Sequence, residues 1–118
     1  MLYIFRAGRH TGTTYDTDNH AARAHHTSQG EVCVWIADDP DLAVGDTIDN
    51  LDELIEADAA MTVRAERDAL LTACDWTLLR DAPLSTEQVA EWAAYRQELR
   101  DVPQQAGFPQ AVTWPEAP

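Results

Sequence analysis

Residues 74–103, with the sequence CDWTLLRDAPLSTEQVAEWAAYRQELRDVP, contain the start of a helix, its stop, and an apolar stripe between them. Ser85 stands three residues before Gln88, which is the spacing of a capping box at a helix N-terminus. Pro103 cannot continue a helix, so we expect the helix to end about two residues earlier. The apolar positions are spaced three, three, four and three residues apart: Val89, Trp92, Tyr95, Leu99 and Val102. The stretch therefore predicts a helix with one buried face.

A second helix is predicted directly before this one. From about Asp58 to Cys74 the apolar positions share one helix face: Val63, Leu70, Leu71 and Cys74. The two helices would form a hairpin. Further upstream, Asn50 and Glu53 have the spacing of another capping box, which predicts a short helix of about two turns. This short helix either ends there or continues through the segment EADAAMT into the longer one.

The N-terminal third has the composition of a small β-structure. The segments LYIFR (2–6) and EVCVWIA (31–37) contain the β-branched and aromatic residues that are typical of strands. A polar connection from Gly8 to Gly30 separates them, and we expect it to contain another short strand or an arm that a partner orders. At the other end of the chain, the tail AGFPQAVTWPEAP (106–118) contains three prolines, which predicts an extended or disordered segment.

Together these patterns predict an α+β protein. Its expected parts are a β-rich module at residues 1–45, an acidic linker with the short helix at 46–58, and a two-helix hairpin with an extended Pro-rich tail at 59–118. A chain of 118 residues suffices for one domain or two half-size modules. Because neither module is large enough for a generous core, homo-oligomerisation is one expected arrangement.

The charge of the chain argues against a nucleic-acid partner. There is no lysine, and eight basic residues face 21 carboxylates, for a net charge of −13. Binding to nucleic acid is driven by counterion release, which needs clustered positive charge. Residues 31–58 contain ten carboxylates and no basic residue. This run leaves open a further alternative, an acidic mimic of nucleic acid that binds a host protein.

No segment of the sequence indicates a membrane or an oxidising compartment. No window reaches the roughly 18 apolar residues that a membrane-spanning helix needs. Cys33 and Cys74 both lie in apolar surroundings, and two such cysteines do not resemble the disulfide framework of a small secreted protein. We therefore expect two buried thiols in a protein made in the cytosol, with no membrane partner.

The polar clusters do not have the spacings that chemistry requires. His20, His25 and His26 match no known zinc pattern, so we expect an exposed polar loop there. The acidic run DDPDLAVGDTIDNLDE (38–53) lacks the residue order and the turn glycine of a calcium loop. Motifs of serine hydrolases, zinc proteases and phosphate-binding loops are absent. The sequence therefore predicts no enzyme activity, no catalytic residue, no metal and no cofactor.

The aromatic residues of the C-terminal half are more informative. Five fall within 39 residues: Trp76, Trp92, Tyr95, Phe108 and Trp114. One interpretation is that they fill the small core of the hairpin, which has little else to bury. The other is that part of this face binds a protein partner, because Trp, Tyr and Arg are the usual anchors of interfaces. The candidate partner-binding residues are Trp76, Trp92, Tyr95, Arg96, Leu99, Arg100, Phe108 and Trp114.

Residues 67–118 carry five motifs of a known family. They are R-D-x-L-L at 67–71, D-W-T at 75–77, D-x-P-L-S-x-E-Q at 81–88, W-x-x-Y-R-Q-x-L-R-D-x-P at 92–103 and F-P-x-x-V-x-W-P at 108–115. In these motifs the stretch resembles the C-terminal region of the phage tail assembly chaperone family, found among the tail and tail-fibre genes of tailed bacteriophages. One departure is Cys74, where the family often has threonine.

The resemblance implies a non-enzymatic bacteriophage protein that assists tail or tail-fibre assembly. Its partner would be a phage tail or tail-fibre protein, bound in the host cytoplasm. Binding would use the hairpin face or the addition of a strand to the N-terminal module. The alternative is a permanent structural component of the tail tip, baseplate or fibre attachment, which would remain in the virion tail.

Overall fold

The computed structural model describes residues 1–16, 18, 20–37 and 40–118. A three-stranded sheet with one short helix precedes two longer helices, so the predicted α+β class is confirmed. The chain forms two compact units, Met1–Asp58 and Ala59–Pro118. Four positions of the predicted loops lie outside the described residues: 17 and 19 in the polar connection, and 38 and 39 in the acidic turn.

The sheet of the first unit is antiparallel throughout, in the order β2-β1-β3. Its strands are β1 (Leu2–Arg6), β2 (Arg9–Tyr15) and β3 (Val32–Trp35). A tight turn joins β1 to β2, with Ala7 and Gly8 at positive φ angles of 51° and 78°, a conformation that costs glycine little. Because β1 lies in the middle of the sheet, its first four residues are all buried. The strands predicted in LYIFR and EVCVWIA are confirmed.

The polar connection between β1 and β3 contains more structure than its composition suggested. It includes β2, which is the additional strand that we expected, and a helix, α1 (His20–Ser28). The expected polar loop around the histidines is therefore wrong. The three alanines of the segment HAARAHHTS are the strongest helix formers known, and their propensity outweighs that of the histidines.

The core of the first unit lies between the sheet and the segments that follow it. Its buried cluster consists of Tyr3, Phe5, Val34 and Ile36. Partly buried apolar residues pack against this cluster: Met1, Leu42, Ile48, Leu51, Leu54 and Ile55. The acidic segment after β3 therefore contributes Leu42 and Ile48 to this core, while its carboxylates at 41, 46 and 49 are exposed.

The first long helix, α2 (Leu51–Ala73), is continuous over 23 residues. Of the two alternatives left open by the sequence, the short helix therefore runs on into the longer one. The segment EADAAMT contains neither glycine nor proline, and three of its seven residues are alanine, so nothing in it favours a break.

The second long helix, α3 (Thr86–Asp101), begins where its capping box predicts. The Ser85 hydroxyl accepts a hydrogen bond from the Gln88 main-chain N–H at 3.2 Å, and the Gln88 side chain accepts one from the Ser85 N–H at 2.9 Å. Residues 102–104 tighten into a 3₁₀ turn that contains Pro103. Both predicted ends of the helix therefore agree with the structure.

The core of the second unit is small. Cys74, Tyr95 and Leu99 form its buried cluster, and Leu70, Leu71, Trp92 and Trp114 pack against it. The predicted apolar stripe of α3 is wrong at its first position, because Val89 is 48% exposed. At about 100° per residue, Val89 lies roughly 120° around the helix from Tyr95 and so faces away from this core.

The tail after α3 contains no helix or strand from residue 112 onward. Two hydrogen bonds of 2.8 Å fasten it, since the Gln105 side chain donates to the Thr113 carbonyl and accepts from the Thr113 N–H. The Phe108 ring lies below the guanidinium of Arg64, 5.2 Å from its central carbon. The tail residues 105–114 are thus tied to the second unit by named side-chain contacts.

Candidate protein-binding surface

Three aromatic residues form a line from the surface of the second unit to its core. The rings of Trp76 and Trp92 meet edge to face with their centroids 5.8 Å apart, and those of Trp92 and Tyr95 do so at 5.7 Å. Exposure falls along this line, from 43% for Trp76 to 8% for Tyr95. Tyr95 at one end of the line fills the core, as the first interpretation of the aromatic residues expects. Trp76 at the other end is exposed, as the partner-binding interpretation requires.

Exposed aliphatic side chains adjoin this exposed indole. Leu78 and Leu79 follow Trp76 in the connection between α2 and α3, and both are more than half exposed. Val89, also exposed, precedes Trp92 by three residues and therefore shares its side of α3. We call these five residues the apolar patch: Trp76, Leu78, Leu79, Val89 and Trp92. Single exposed apolar residues need no explanation, whereas a group of them on one small unit is a candidate interaction site.

The connection between the helices holds Trp76 and Leu78 of the patch outward. It forms a 3₁₀ helix, Asp75–Leu78, in which Thr77 is buried. The Thr77 hydroxyl donates a hydrogen bond of 2.7 Å to the Cys74 carbonyl, and the Leu79 N–H donates one of 3.2 Å to the Trp76 carbonyl. Since Thr77 turns inward, its neighbours Trp76 and Leu78 turn toward solvent.

Arg96 ties α3 to the end of α2 beneath this surface. Its guanidinium donates to the Leu71 carbonyl at 2.8 Å and to the Cys74 sulfur at 3.1 Å, and it forms an ion pair with Asp75 at 2.9 Å. The Leu71 carbonyl is one of the last in α2, where carbonyls lack partners within the helix. Arg96 is therefore an internal clamp, and its side chain is buried.

The eight candidate partner-binding residues differ in their surroundings. Tyr95, Arg96 and Leu99 are buried inside the second unit, while Trp76 and Arg100 are exposed. The other three are half-buried: Trp92, Phe108 and Trp114. The structure does not gather all eight on one face, and their role in partner binding stays a prediction. Leu78 and Leu79 were missed, although the run WTLLR in a loop was a signal, since loops seldom contain so many large apolar residues.

In the first unit, side chains occupy the outer edge of β3. Arg23 donates to the Cys33 carbonyl at 3.4 Å and to both oxygens of Asp58 at 2.8 and 2.9 Å. Asp58 in turn accepts a hydrogen bond of 3.2 Å from the Trp35 N–H. These two main-chain groups of β3 point away from β1, so the Arg23–Asp58 pair covers part of the edge that a partner strand would use.

Part of the outer edge of β2 is covered as well. The His10 N–H donates to the Asp46 carbonyl at 2.8 Å, and the Gly45 N–H donates to the His10 carbonyl at 2.7 Å. A side chain at Gly12 would meet Val44, so the segment around residues 43–46 packs closely on this strand. Both edges of the sheet therefore carry internal partners over part of their length.

A polar cluster joins β1, β2 and the residue before β3 to α1. The His26 ring is hydrogen-bonded to the Tyr15 hydroxyl at 3.1 Å through Nε2 and to Glu31 through Nδ1. Glu31 also forms an ion pair with Arg6. An ionised carboxylate only accepts, so Nδ1 carries the proton that it donates to Glu31. Within the described part of the chain, no group of three or more His, Cys, Asp and Glu could hold a metal ion.

The polar cluster predicts how the first unit responds to acid. The hydrogen bond from His26, and after it that from Arg6, lower the pKa of Glu31 below its ordinary value, although burial opposes them. A carboxyl whose folded pKa is depressed stabilises the fold above its unfolded pKa and loses that contribution as pH falls through the folded pKa. We therefore expect the unfolding free energy of the first unit to fall between about pH 5 and pH 3.

The measurement is denaturation of the full chain at a series of pH values, with hydrogen exchange of β1 amides as the probe. Glu31→Gln should be less stable near neutral pH and should lose part of the decline in acid. Glu56→Gln, at an exposed position of α2, serves as the control. Equal acid dependence in the wild type and in Glu31→Gln would contradict the prediction.

The two free thiols differ in burial, since Cys74 is buried and Cys33 only partly so. Burial raises the pKa of the Cys33 thiol.

Among the described residues, no helix is both long and apolar enough to span a membrane.

Fold and surface together define a small α+β protein whose C-terminal unit displays apolar side chains to solvent. Residues 60–118, half of the chain, match the family model of the phage tail assembly chaperone protein. The chain belongs to the phage tail assembly chaperone family, and it therefore has a role in phage tail assembly. This family description also indicates a non-enzymatic role. No curated protein and no solved structure matches the chain significantly.

Proposed function

We propose that the protein assists phage tail assembly by binding a tail or tail-fibre protein through the apolar patch, without catalysing a reaction. The role in tail assembly follows from the family. The choice of binding site rests on one observation, which is that Trp76, Leu78 and Leu79 are exposed and Trp92 is half-buried. The site of action would be the host cytoplasm, where tail subunits are made and assembled.

The physical reason for choosing this surface is the energy that it can contribute. Burying apolar area removes it from water, and tryptophans in well-packed positions are the commonest hot spots of interfaces. The hydrogen bonds of Thr77 and Arg96 fix the connection between α2 and α3 before a partner binds. Little conformational entropy would therefore be lost on binding. A preformed apolar surface suits an assembly factor that covers a matching surface on a tail subunit.

Strand addition to the first unit is less well supported as a binding mode. A partner strand at β3 would have to displace the Arg23–Asp58 pair and replace its hydrogen bonds to Cys33 and Trp35.

The alternative that the chain is an acidic mimic of nucleic acid also receives little support. Two of its ten carboxylates, Glu31 and Asp58, are buried in internal ion pairs and are not displayed.

The test is capture of tail and fibre proteins from infected cells by the full chain and by a Trp76→Ala/Leu79→Ser variant. Loss of two anchors should weaken binding by about 2 kcal/mol or more, which is at least roughly 30-fold. Met61→Ala is the matched control, because Met61 is an exposed apolar residue of the same unit outside the patch. If the double variant captures a tail protein as well as Met61→Ala does, the patch is not the binding site.

The alternative of a permanent virion component calls for a separate measurement. Mass spectrometry of purified virions would quantify this chain against the major tail protein. A fixed stoichiometric amount would identify a structural component of the tail, whereas absence from virions together with capture of a tail subunit would identify an assembly factor that leaves. Light scattering of the purified chain would show whether it forms homo-oligomers.

A further inference from the structure

A groove lies in the C-terminal unit, between the end of α3 and the tail. It has a volume of about 250 Å³ and is lined by Glu98, Asp101, Gln105, Thr113, Trp114 and Pro115. None of these residues belongs to the apolar patch. The groove combines two carboxylates from α3 with an indole and a proline from the tail.

The groove is formed before any ligand arrives. Gln105 holds the main chain of Thr113 through two hydrogen bonds of 2.8 Å, which fixes the tail segment that carries Trp114. Trp114 itself packs against the core cluster that contains Tyr95 and Leu99. Because these contacts set the position of the indole, binding here would not require the tail to become ordered first.

The carboxylates of the groove have no cationic partner within the described part of the chain. The ion pairs found there involve neither Glu98 nor Asp101. Asp101 accepts hydrogen bonds only from the neutral side chains of Gln97, at 3.1 Å, and Gln104, at 3.5 Å. Both carboxylates also lie in the last turns of α3, where the helix dipole disfavours negative charge and attracts cations. Internal ion pairs among the described residues therefore leave the two carboxylates of the groove free to bind a cation.

The indole of Trp114 and the size of the groove indicate which kind of ligand could bind there. A cation next to an indole face gains a favourable electrostatic interaction, and guanidinium groups do so more often than ammonium groups. A planar guanidinium can also bind carboxylates through paired hydrogen bonds. A volume of about 250 Å³ is below the usual range for drug-sized ligands but is sufficient for one side chain.

We propose that this groove binds an arginine side chain of the protein partner. The proposal rests on the function proposed above only in assigning that arginine to the tail protein. It gives the partner a chemical signature, which is an exposed arginine on its binding surface. The negative charge of the chain would then serve recognition in addition to solubility.

The test uses the full chain and two small probes, acetyl-Gly-Arg-Gly-amide and the same peptide with neutral citrulline in place of arginine. Binding is followed by the NMR signal of the Trp114 indole N–H. We expect a saturable shift with the arginine peptide, with a dissociation constant on the order of millimolar, and no saturable shift with the citrulline peptide. A Glu98→Gln/Asp101→Asn variant should weaken binding by about tenfold or more.

Glu87→Gln/Glu91→Gln is the matched control, because it removes the same charge from exposed positions of the same helix outside the groove. It should bind the arginine peptide within about twofold of the wild type. The proposal is overturned if the Trp114 signal does not move, if the two peptides bind equally, or if the two double variants weaken binding alike. Since the probes contain no tail protein, this test can succeed where capture of a tail protein fails, and the reverse.

Discussion

Leu99→Ala is expected to lower the unfolding free energy of the second unit by about 2–5 kcal/mol, the range for truncating a buried leucine. Leu99 is 0% exposed and belongs to a buried cluster of only three residues. Few neighbours can move in to fill the space that the substitution leaves. Whole domains have net stabilities of about 5–15 kcal/mol, so this one change should remove a large part of the stability of the unit.

Hydrogen exchange of α3 amides at increasing urea concentrations would measure this loss in the full chain. The control is Val89→Ala, which truncates an exposed apolar residue of the same helix. It should change stability by about 0.5 kcal/mol or less. If Leu99→Ala were no more destabilising than Val89→Ala, the core of this unit would not lie where the structure places it.

Asp58→Ala is expected to destabilise the first unit by about 2–3 kcal/mol and to promote self-association. The substitution removes the carboxylate that binds Arg23 and deprives the Trp35 N–H of its acceptor. Breaking a buried ion pair costs about 3–5 kcal/mol. Because Arg23 is partly exposed, we expect a loss near or below the lower limit of this range. The outer edge of β3 would then be open to pairing with the same edge of another copy.

Denaturation monitored by hydrogen exchange of β3 amides would measure the loss of stability. Light scattering over a range of concentrations would measure self-association. Asp68→Ala is a suitable control because it breaks an exposed ion pair, with Arg67, on the same helix. Exposed pairs contribute about 1 kcal/mol or less. The role assigned to Asp58 fails if Asp58→Ala matches Asp68→Ala in both measurements. An Arg23→Ala/Asp58→Ala variant should be less unstable than the sum of the single changes, since it leaves no unpaired charge.

Several features followed from the amino-acid sequence alone because they depend on neighbouring residues. The limits of α3 come from the Ser85–Gln88 capping box and from Pro103, which act within a few residues of themselves. The strands β1 and β3 follow from short runs of β-branched and aromatic residues. The family of the chain was equally evident, because its motifs have fixed residue types at fixed spacings.

Other features needed contacts between residues far apart in the chain. Arg96 looked like an exposed anchor on α3, and only its contacts with Leu71 and Cys74, more than 20 residues away, make it an internal clamp. Arg23 and Asp58 cover the edge of β3 although 35 residues separate them. The exposure of Leu78 depends on how Thr77 turns inward.

The groove shows the same division most clearly. Its residues come from positions 98–105 and 113–115, and no spacing rule relates the two segments. Composition predicted an acidic chain with many aromatic residues in its C-terminal half, but the pairing of particular carboxylates with Trp114 depends on how Gln105 fastens the tail. Local propensity determined the helices and strands of this protein. Long-range side-chain packing determined which charged and aromatic groups meet, because the energy of such contacts depends on three-dimensional distance and not on separation along the chain.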